Sequence, residues 1–209
     1  MSGELVKLLS DLKEPEALAF VEKALGEGVD PMDLLGQTKE GMNIVGQRFA
    51  SDEYFIPDLV FSGEILKGIV QMLEPHIKKG EEEERLGKVV IGTVAGDIHD
   101  IGKDLVVFML DVNGFEVLDL GIDVPVQKFV DTIKETGSTV VGLSGFLTLA
   151  FQSMKDTVEA INAAGLRNDV KIMIGGGQID EQVKSFTGAD AYGKDAMEAV
   201  TLTKGWIGG

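Results

Sequence analysis

The sequence predicts a bundle of four helices followed by an α/β, Rossmann-like (flavodoxin-like) doubly wound parallel sheet. Three observations carry this. Apolar residues recur at helical spacing up to about residue 79; an acidic stretch poor in apolar residues follows; beyond it, short β-branched runs alternate with helix-length stretches. The first stripe is Leu5, Leu8, Leu9 and Leu12, and the second Leu18, Val21 and Leu25. Val29-Asp30-Pro31 then reads as an N-cap followed by proline at the first helical position. A third stripe runs Leu35, Thr38, Met42, Val45 and Phe49, and after Pro57 a fourth runs Leu59, Gly63, Leu66, Val70, Leu73 and Ile77. Met32, Met42 and Met72 read as core packing, and His76, beside Pro75 near a helix end, as an exposed residue favoured by the helix dipole.

Lys78 to Lys88 carries Glu81-Glu82-Glu83-Glu84 and reads as a solvated linker, so the expected division is 1–79 helical, 80–88 linker and 89–209 sheet domain. Four runs then suit strands buried on both faces: Val89 to Val94, Glu116 to Leu120, Thr139 to Leu143 and Val170 to Ile174. A short fifth strand is expected near Ala189 to Tyr192, a last helix from about Lys194 to Thr203, and a tail over Trp206 to Gly209.

Composition narrows the function. The 209 residues are 44% apolar, enough for folded domains, and carry a formal charge of −16. Such a charge argues against a nucleic-acid partner, whose phosphates call for clustered Lys and Arg, and against an anionic membrane surface. No run approaches the roughly 18 apolar residues of a membrane span, and the N-terminus does not read as a signal peptide, so a cytoplasmic location is expected. Zero cysteines exclude thiolate metal sites, disulfides and a cysteine nucleophile, and His76 and His99 are the two histidines.

In an open parallel sheet, ligands bind beyond the carboxyl ends of the strands. Those ends are distinctive here. The first strand runs into Gly96-Asp97-Ile98-His99-Asp100-Ile101-Gly102, the third ends in Gly142-Leu143-Ser144-Gly145, and the fourth in Gly175-Gly176-Gly177. His99 is the sharpest feature, a loop imidazole two residues after an acid. A metal-ligating imidazole normally gives its second N–H to a carboxylate, which Asp97 can supply if the loop curls. Asp100 reads as a solvated or helix-capping acid. Phosphate binding fits poorly, since the turn lacks a G-x-G-x-x-G or G-K-S/T run and presents two acids. A receiver domain explains neither His99 nor the triple glycine, and a zinc hydrolase needs more ligands.

Asp97-x-His99-x-x-Gly102, Ser144-Gly145-Phe146 and Gly175-Gly176, at their separations, resemble the D-x-H-x-x-G, S-x-L, G-G signature of cobalamin-binding proteins. These include methionine synthase and the small corrinoid proteins of methanol, methylamine and methoxy-aromatic methyltransferase systems. The stretch from Gly41 to Gly46, with Phe49 and Phe55-Ile56-Pro57, resembles the helical cap module that precedes the corrinoid domain in that family, so the likeness covers nearly the whole chain. The resemblance implies cobalamin bound base-off, with His99 as axial ligand to cobalt and Asp97 hydrogen-bonded to it. It implies a tail slot lined by Gly142, Ser144, Gly175 and Gly176, further contacts from Asp100, Ile101, Gly102, Phe146, Leu147 and Thr148, and cap residues Phe49 and Ile56 over the methyl face.

By the same resemblance the chain is a corrinoid subunit without catalysis of its own. It would cycle between cob(I)alamin and methylcobalamin, and the linker would be the hinge by which the cap swings away. Its partners would be a substrate-specific methyltransferase, including the O-demethylase type, an acceptor methyltransferase using tetrahydrofolate or a thiol, and a reductive activator. A cobalamin-binding regulator or sensor, or a mutase cobalamin subunit, is the alternative. Two departures stand out: Phe146 replaces the leucine of S-x-L, and the relay serine of methionine synthase falls on Ala150.

Overall fold

The computed structural model describes residues 3–76, 85–177 and 179–208. The chain divides into two compact units, Met1–Glu83 and Glu84–Gly209. The first is helical: α1 (Glu4–Ser10), α2 (Glu14–Gly26), α3 (Pro31–Ala50) and α4 (Ile56–Leu73), followed by a 3₁₀ turn at Glu74–His76. As expected, Pro31 opens α3 and Asp30 caps it, its side chain accepting from Met32 N–H at 2.9 Å. Such a cap contributes about 1 kcal/mol.

The buried face is built by Leu5, Leu9, Val21, Leu34, Met42, Val45, Leu59, Ile65, Ile69 and Leu73. It sits one position off the predicted stripes in two places: Leu34 rather than Leu35 is buried on α3, and Ser62, Ile65 and Ile69 rather than Gly63, Leu66 and Val70 on α4. Both helices carry apolar residues at adjacent positions, so periodicity leaves two neighbouring stripes open and packing selects one. Gly41 lets α1 and α3 approach closely, because a Cβ there would meet the Leu9 side chain at 2.9 Å. Met42 is buried in this core, and His76 is exposed in the 3₁₀ turn.

The second unit is a five-stranded parallel sheet with helices on its two faces. Its strands are β1 (Lys88–Thr93), β2 (Glu116–Asp119), β3 (Val140–Ser144), β4 (Lys171–Gly175) and β5 (Ala191–Gly193), in spatial order β2-β1-β3-β4-β5. The connecting helices are α5 (Ile101–Val112), α6 (Val126–Thr136), α7 (Ala150–Ala163), α8 (Glu181–Thr187) and α9 (Ala196–Ile207). Alternate residues of β1 point to opposite faces. Val90 and Val94 join Phe129, Ile133, Met154 and Ile161 in one core cluster, and Gly92 makes room there, since a Cβ would meet the Phe129 ring at 3.0 Å. This order reverses direction between β1 and β3, the crevice where ligands bind in such sheets.

Two expectations are corrected. The final helix starts at Ala196, capped by the Asp195 carboxylate on Glu198 N–H at 2.8 Å, and continues through Trp206 to Ile207, so the first two residues of the expected tail are helical. The far end of the expected linker belongs to the sheet unit: Leu86 N–H bonds Gly114 O, Gly87 O accepts from Glu116 N–H, and Lys88 is already in β1. Residues 77–84, including the glutamate run, lie outside the described residues. Asp100 occupies the N-cap position of α5, and its exposed carboxylate makes no cap bond, the solvated one of its two expected roles.

Candidate functional site

Beyond β1 the chain turns sharply at Gly96, whose φ of +84° lies in the left-handed region that glycine adopts without steric cost. The turn brings Asp97 inward, where it is 1% exposed. Its carboxylate is fully engaged. Oδ1 accepts from His99 N–H at 2.9 Å and from His99 Nδ1 at 2.7 Å. Oδ2 accepts from two successive backbone amides beyond β3, Phe146 N–H at 2.7 Å and Leu147 N–H at 2.9 Å. Burial pushes the Asp97 carboxyl upward, but hydrogen bonds from the Leu147 and His99 amides, the His99 ring and the Phe146 amide outweigh it and hold the group at about 2.

An ionised Asp97 offers no proton to the ring, so it selects the His99 tautomer with hydrogen on Nδ1. Nε2 then carries its lone pair outward. The His99 side chain is 48% exposed, and Nε2 has no hydrogen-bond partner among the described residues. The Phe146 ring lies beside the imidazole, centroids 4.8 Å apart and planes inclined by 32°. Thr93 Oγ1 donates to His99 O at 3.3 Å. The backbone, the Asp97 carboxylate and an aromatic neighbour together fix this imidazole.

Its surroundings are unusual for a surface. Ile98, Ile101, Phe146, Leu147 and Leu149, the last 80% exposed, present large apolar side chains on the loop and helix start after β1 and on the loop after β3, the two segments that meet at Asp97. An apolar collar with one ligating nitrogen in it suits a large ligand with apolar surface. Among the described residues no three His, Cys, Asp or Glu side chains gather to hold a metal ion. A metal held by His99 must therefore bring most of its own donors.

The small residues divide by what surrounds them. Gly102 and Gly175 have room: a Cβ on Gly102 meets nothing within 4 Å, and one on Gly175 only Gly193 O at 3.9 Å. Gly142 is buried, and a Cβ there would meet Ile91 Cγ1 at 3.0 Å, so sheet packing alone favours glycine at this position. Gly176, with φ +145°, sits against the Gly145 carbonyl and joins the ends of β3 and β4. Ser144 is half-buried with no side-chain bond among the described residues, and Thr148 is exposed.

Ala150 opens α7, buried, with its methyl toward Gly145. With alanine at this position no hydroxyl is available there, and the Asp97 oxygen that faces away from His99 is held by backbone amides. Phe49 and Ile56 lie in the helical unit, Phe49 half-buried on the last turn of α3 and Ile56 exposed at the start of α4, next to the exposed Phe55. The turn between these helices is pinned by Arg48, which bonds Ser10 O at 2.6 Å, Asp11 Oδ1 at 3.0 Å and the Tyr54 hydroxyl at 2.8 Å.

Sequence reasoning passed over Lys103, Asp119 and Asp123. Lys103 is 3% exposed, its ammonium bonded to Asp104 Oδ1 at 2.6 Å and Asp119 Oδ2 at 2.7 Å. A lysine directly after the Gly102 motif, with an acid closing the second strand, was the available signal.

Comparison with known proteins agrees with this geometry. A B12 binding domain family model matches residues 87–201, and another model of that description matches residues 2–74. Dimethylamine corrinoid protein 2 of Methanosarcina acetivorans is 38% identical over 206 residues, covering 96% of this chain and 95% of that protein. Trimethylamine corrinoid protein 2 of Methanosarcina mazei is 36% identical over 198 residues, covering 94% and 91%. A cobalamin-binding protein from Desulfitobacterium hafniense DCB-2 superposes with a TM-score of 0.81 at 44% identity, covering 97% of this chain and 96% of that one. The methanol:cobalamin methyltransferase complex MtaBC of Methanosarcina barkeri shares the fold, with a TM-score of 0.81 at 24% identity over 98% of this chain and 78% of that one. With both of its units matched by B12-binding models and corrinoid proteins aligned over nearly its full length, the chain belongs to the B12-binding family of corrinoid proteins, and its cofactor is cobalamin.

Proposed function

We propose that this chain is a methyl carrier that takes a methyl group from a substrate-specific methyltransferase and presents it to a second, acceptor methyltransferase. The observation that carries the reading is the Asp97-held His99, whose free Nε2 stands in an apolar collar. The residues fit the cofactor. Cobalamin carries most of the donors to its own metal and would ask little more of the protein, which matches a site with a single poised imidazole. Bound there, cobalamin supplies a cobalt centre able to accept and release a methyl group.

The chain's own residues do the rest. His99 would hold the cobalt through Nε2, and Asp97 holds its ring and tautomer. Ile98, Ile101 and Leu149 would keep water from the bound cofactor. Gly102, Ser144 and Gly175 would leave room and a hydroxyl for its nucleotide portion. The relatives' names favour a methylated amine as the methyl source, with methanol and methoxy-aromatic compounds as the other classes; tetrahydrofolate or a thiol is the acceptor, and a reductive activator restores cofactor that has been oxidised.

The test reconstitutes the protein with cobalamin, reduces it, and offers methylamines, methanol or a methoxy-aromatic compound, each with its methyltransferase. Methyl loading seen in the visible spectrum with one donor class supports the carrier reading. Cobalamin binding without loading by any donor would leave a sensor in its place.

A further inference from the structure

We infer that Asp123, in the turn between β2 and α6, is a positioning residue for the axial loop that carries His99. Its backbone N–H donates to Asp97 O at 3.0 Å, and its carboxylate accepts from Gly96 N–H at 2.7 Å. It therefore grips the residues on which the Asp97 side chain is hung. Asp123 adopts φ +49°, the left-handed region that a non-glycine residue occupies at a cost unless its surroundings impose it.

Those surroundings are rigid. Thr93 N–H donates to Gly121 O at 2.9 Å, Leu120 N–H to Ile91 O at 2.8 Å, and Val124 N–H to Thr93 O at 2.9 Å, stitching the turn to β1. Asp119 closes the far side, accepting from Gly121 N–H at 2.9 Å through Oδ1 and from the buried Lys103 ammonium at 2.7 Å through Oδ2. One turn thus holds the axial loop at both ends, through Asp123 at Asp97 and through Asp119 at Lys103 on the first turn of α5. An exposed loop bearing a metal ligand otherwise samples many conformations, and each one lost before ligation favours binding.

The inference rests on His99 being the axial ligand, and the experiment separates the two. Cobalamin is bound to the wild-type chain and to Asp123→Gly and Asp123→Asn, reduced to Co(II), and examined by paramagnetic resonance alongside cobalamin dissociation constants and unfolding midpoints of the cofactor-free proteins. Glycine keeps the backbone conformation and removes the carboxylate; asparagine tolerates the conformation and keeps an acceptor for Gly96 N–H.

The expected result is a nitrogen-split signal in the wild type, a weakened one in Asp123→Gly with binding loosened about tenfold, and recovery to within about twofold in Asp123→Asn. If the wild type shows no protein nitrogen, the axial assignment fails and takes this inference with it. If the wild type shows it and Asp123→Gly matches in signal and affinity, Asp123 does not position the loop. If signal and affinity are unchanged while the unfolding midpoint falls, its role is in the fold alone.

Discussion

Replacing Asp97 by asparagine tests whether the axial loop is organised around an anion. The folded chain holds this carboxyl at about 2, against an ordinary 3.8, and at about 1.4 kcal/mol per pH unit the difference favours the ionised group by roughly 2–3 kcal/mol. Asparagine removes the charge and turns an NH₂ toward one of two pairs of N–H donors. Either the His99 pair or the Phe146 and Leu147 amides then lose their acceptor, in a site that is 1% exposed. An unsatisfied buried donor costs about 1–3 kcal/mol, so Asp97→Asn is expected to destabilise the sheet unit by about 3 kcal/mol and lower its Tm by about 10 °C.

The chain's single tryptophan, Trp206, lies in α9 of that unit, and its fluorescence follows unfolding of the cofactor-free protein there. The sign with pH is fixed. A carboxyl whose folded value is depressed contributes its stability above 3.8 and loses it as pH falls through that value toward 2. The gap between wild type and variant should stay constant from pH 8 to 5 and narrow below about pH 4. A variant within about 1 kcal/mol of wild type at pH 7, or a gap that widens on acidification, refutes the reasoning.

Other outcomes follow from the same geometry. His99→Ala should leave the cofactor-free unfolding midpoint within about 1 kcal/mol of wild type, because the ring is half exposed, while the Co(II) resonance loses its nitrogen splitting. Lys103→Met strips the charge partner from Asp119 and should cost about 2 kcal/mol by urea titration. Burial pulls the Lys103 ammonium down, but Asp104 and Asp119 raise it above the usual 10.5, so its contribution persists below that pH and is lost as pH rises through the raised value; alkaline titration of wild type against variant reads this directly. Gly176→Ala, forced against the Gly145 carbonyl at a positive φ, should cost about 2–3 kcal/mol or prevent folding, whereas Gly102→Ala, facing open space inside α5, should leave the cofactor-free fold as stable or slightly more so and weaken cobalamin binding.

Legibility followed the range of the forces involved. Strands read well because Val89 to Val94 or Val170 to Ile174 are apolar without alternation, a local property of a strand covered on both faces. The Asp30 cap and Pro31 were local too. Which of two adjacent stripes on α3 and α4 turns inward was not, because Leu34 and Leu35 are equally apolar and the neighbouring helices decide. At the site, Asp97 and His99 are two residues apart and could be paired from sequence. Their other partners could not be, since the Phe146 and Leu147 amides and Asp123 arrive from separate loops and are brought in by the β2-β1-β3 order. Backbone donors leave no mark in a sequence, so the amides that hold Asp97 Oδ2 were invisible there.

The division of the glycines bears on how such a site is built. Gly142 and Gly176 each have a packing reason to be glycine, one set against Ile91 and the other against Gly145 O. Gly102 is the second residue of α5, and a methyl there would touch nothing, as at Gly36 in α3 and Gly205 in α9. Open space alone therefore does not make it a ligand contact, and cobalamin affinity of Gly102→Ala is the measurement that decides.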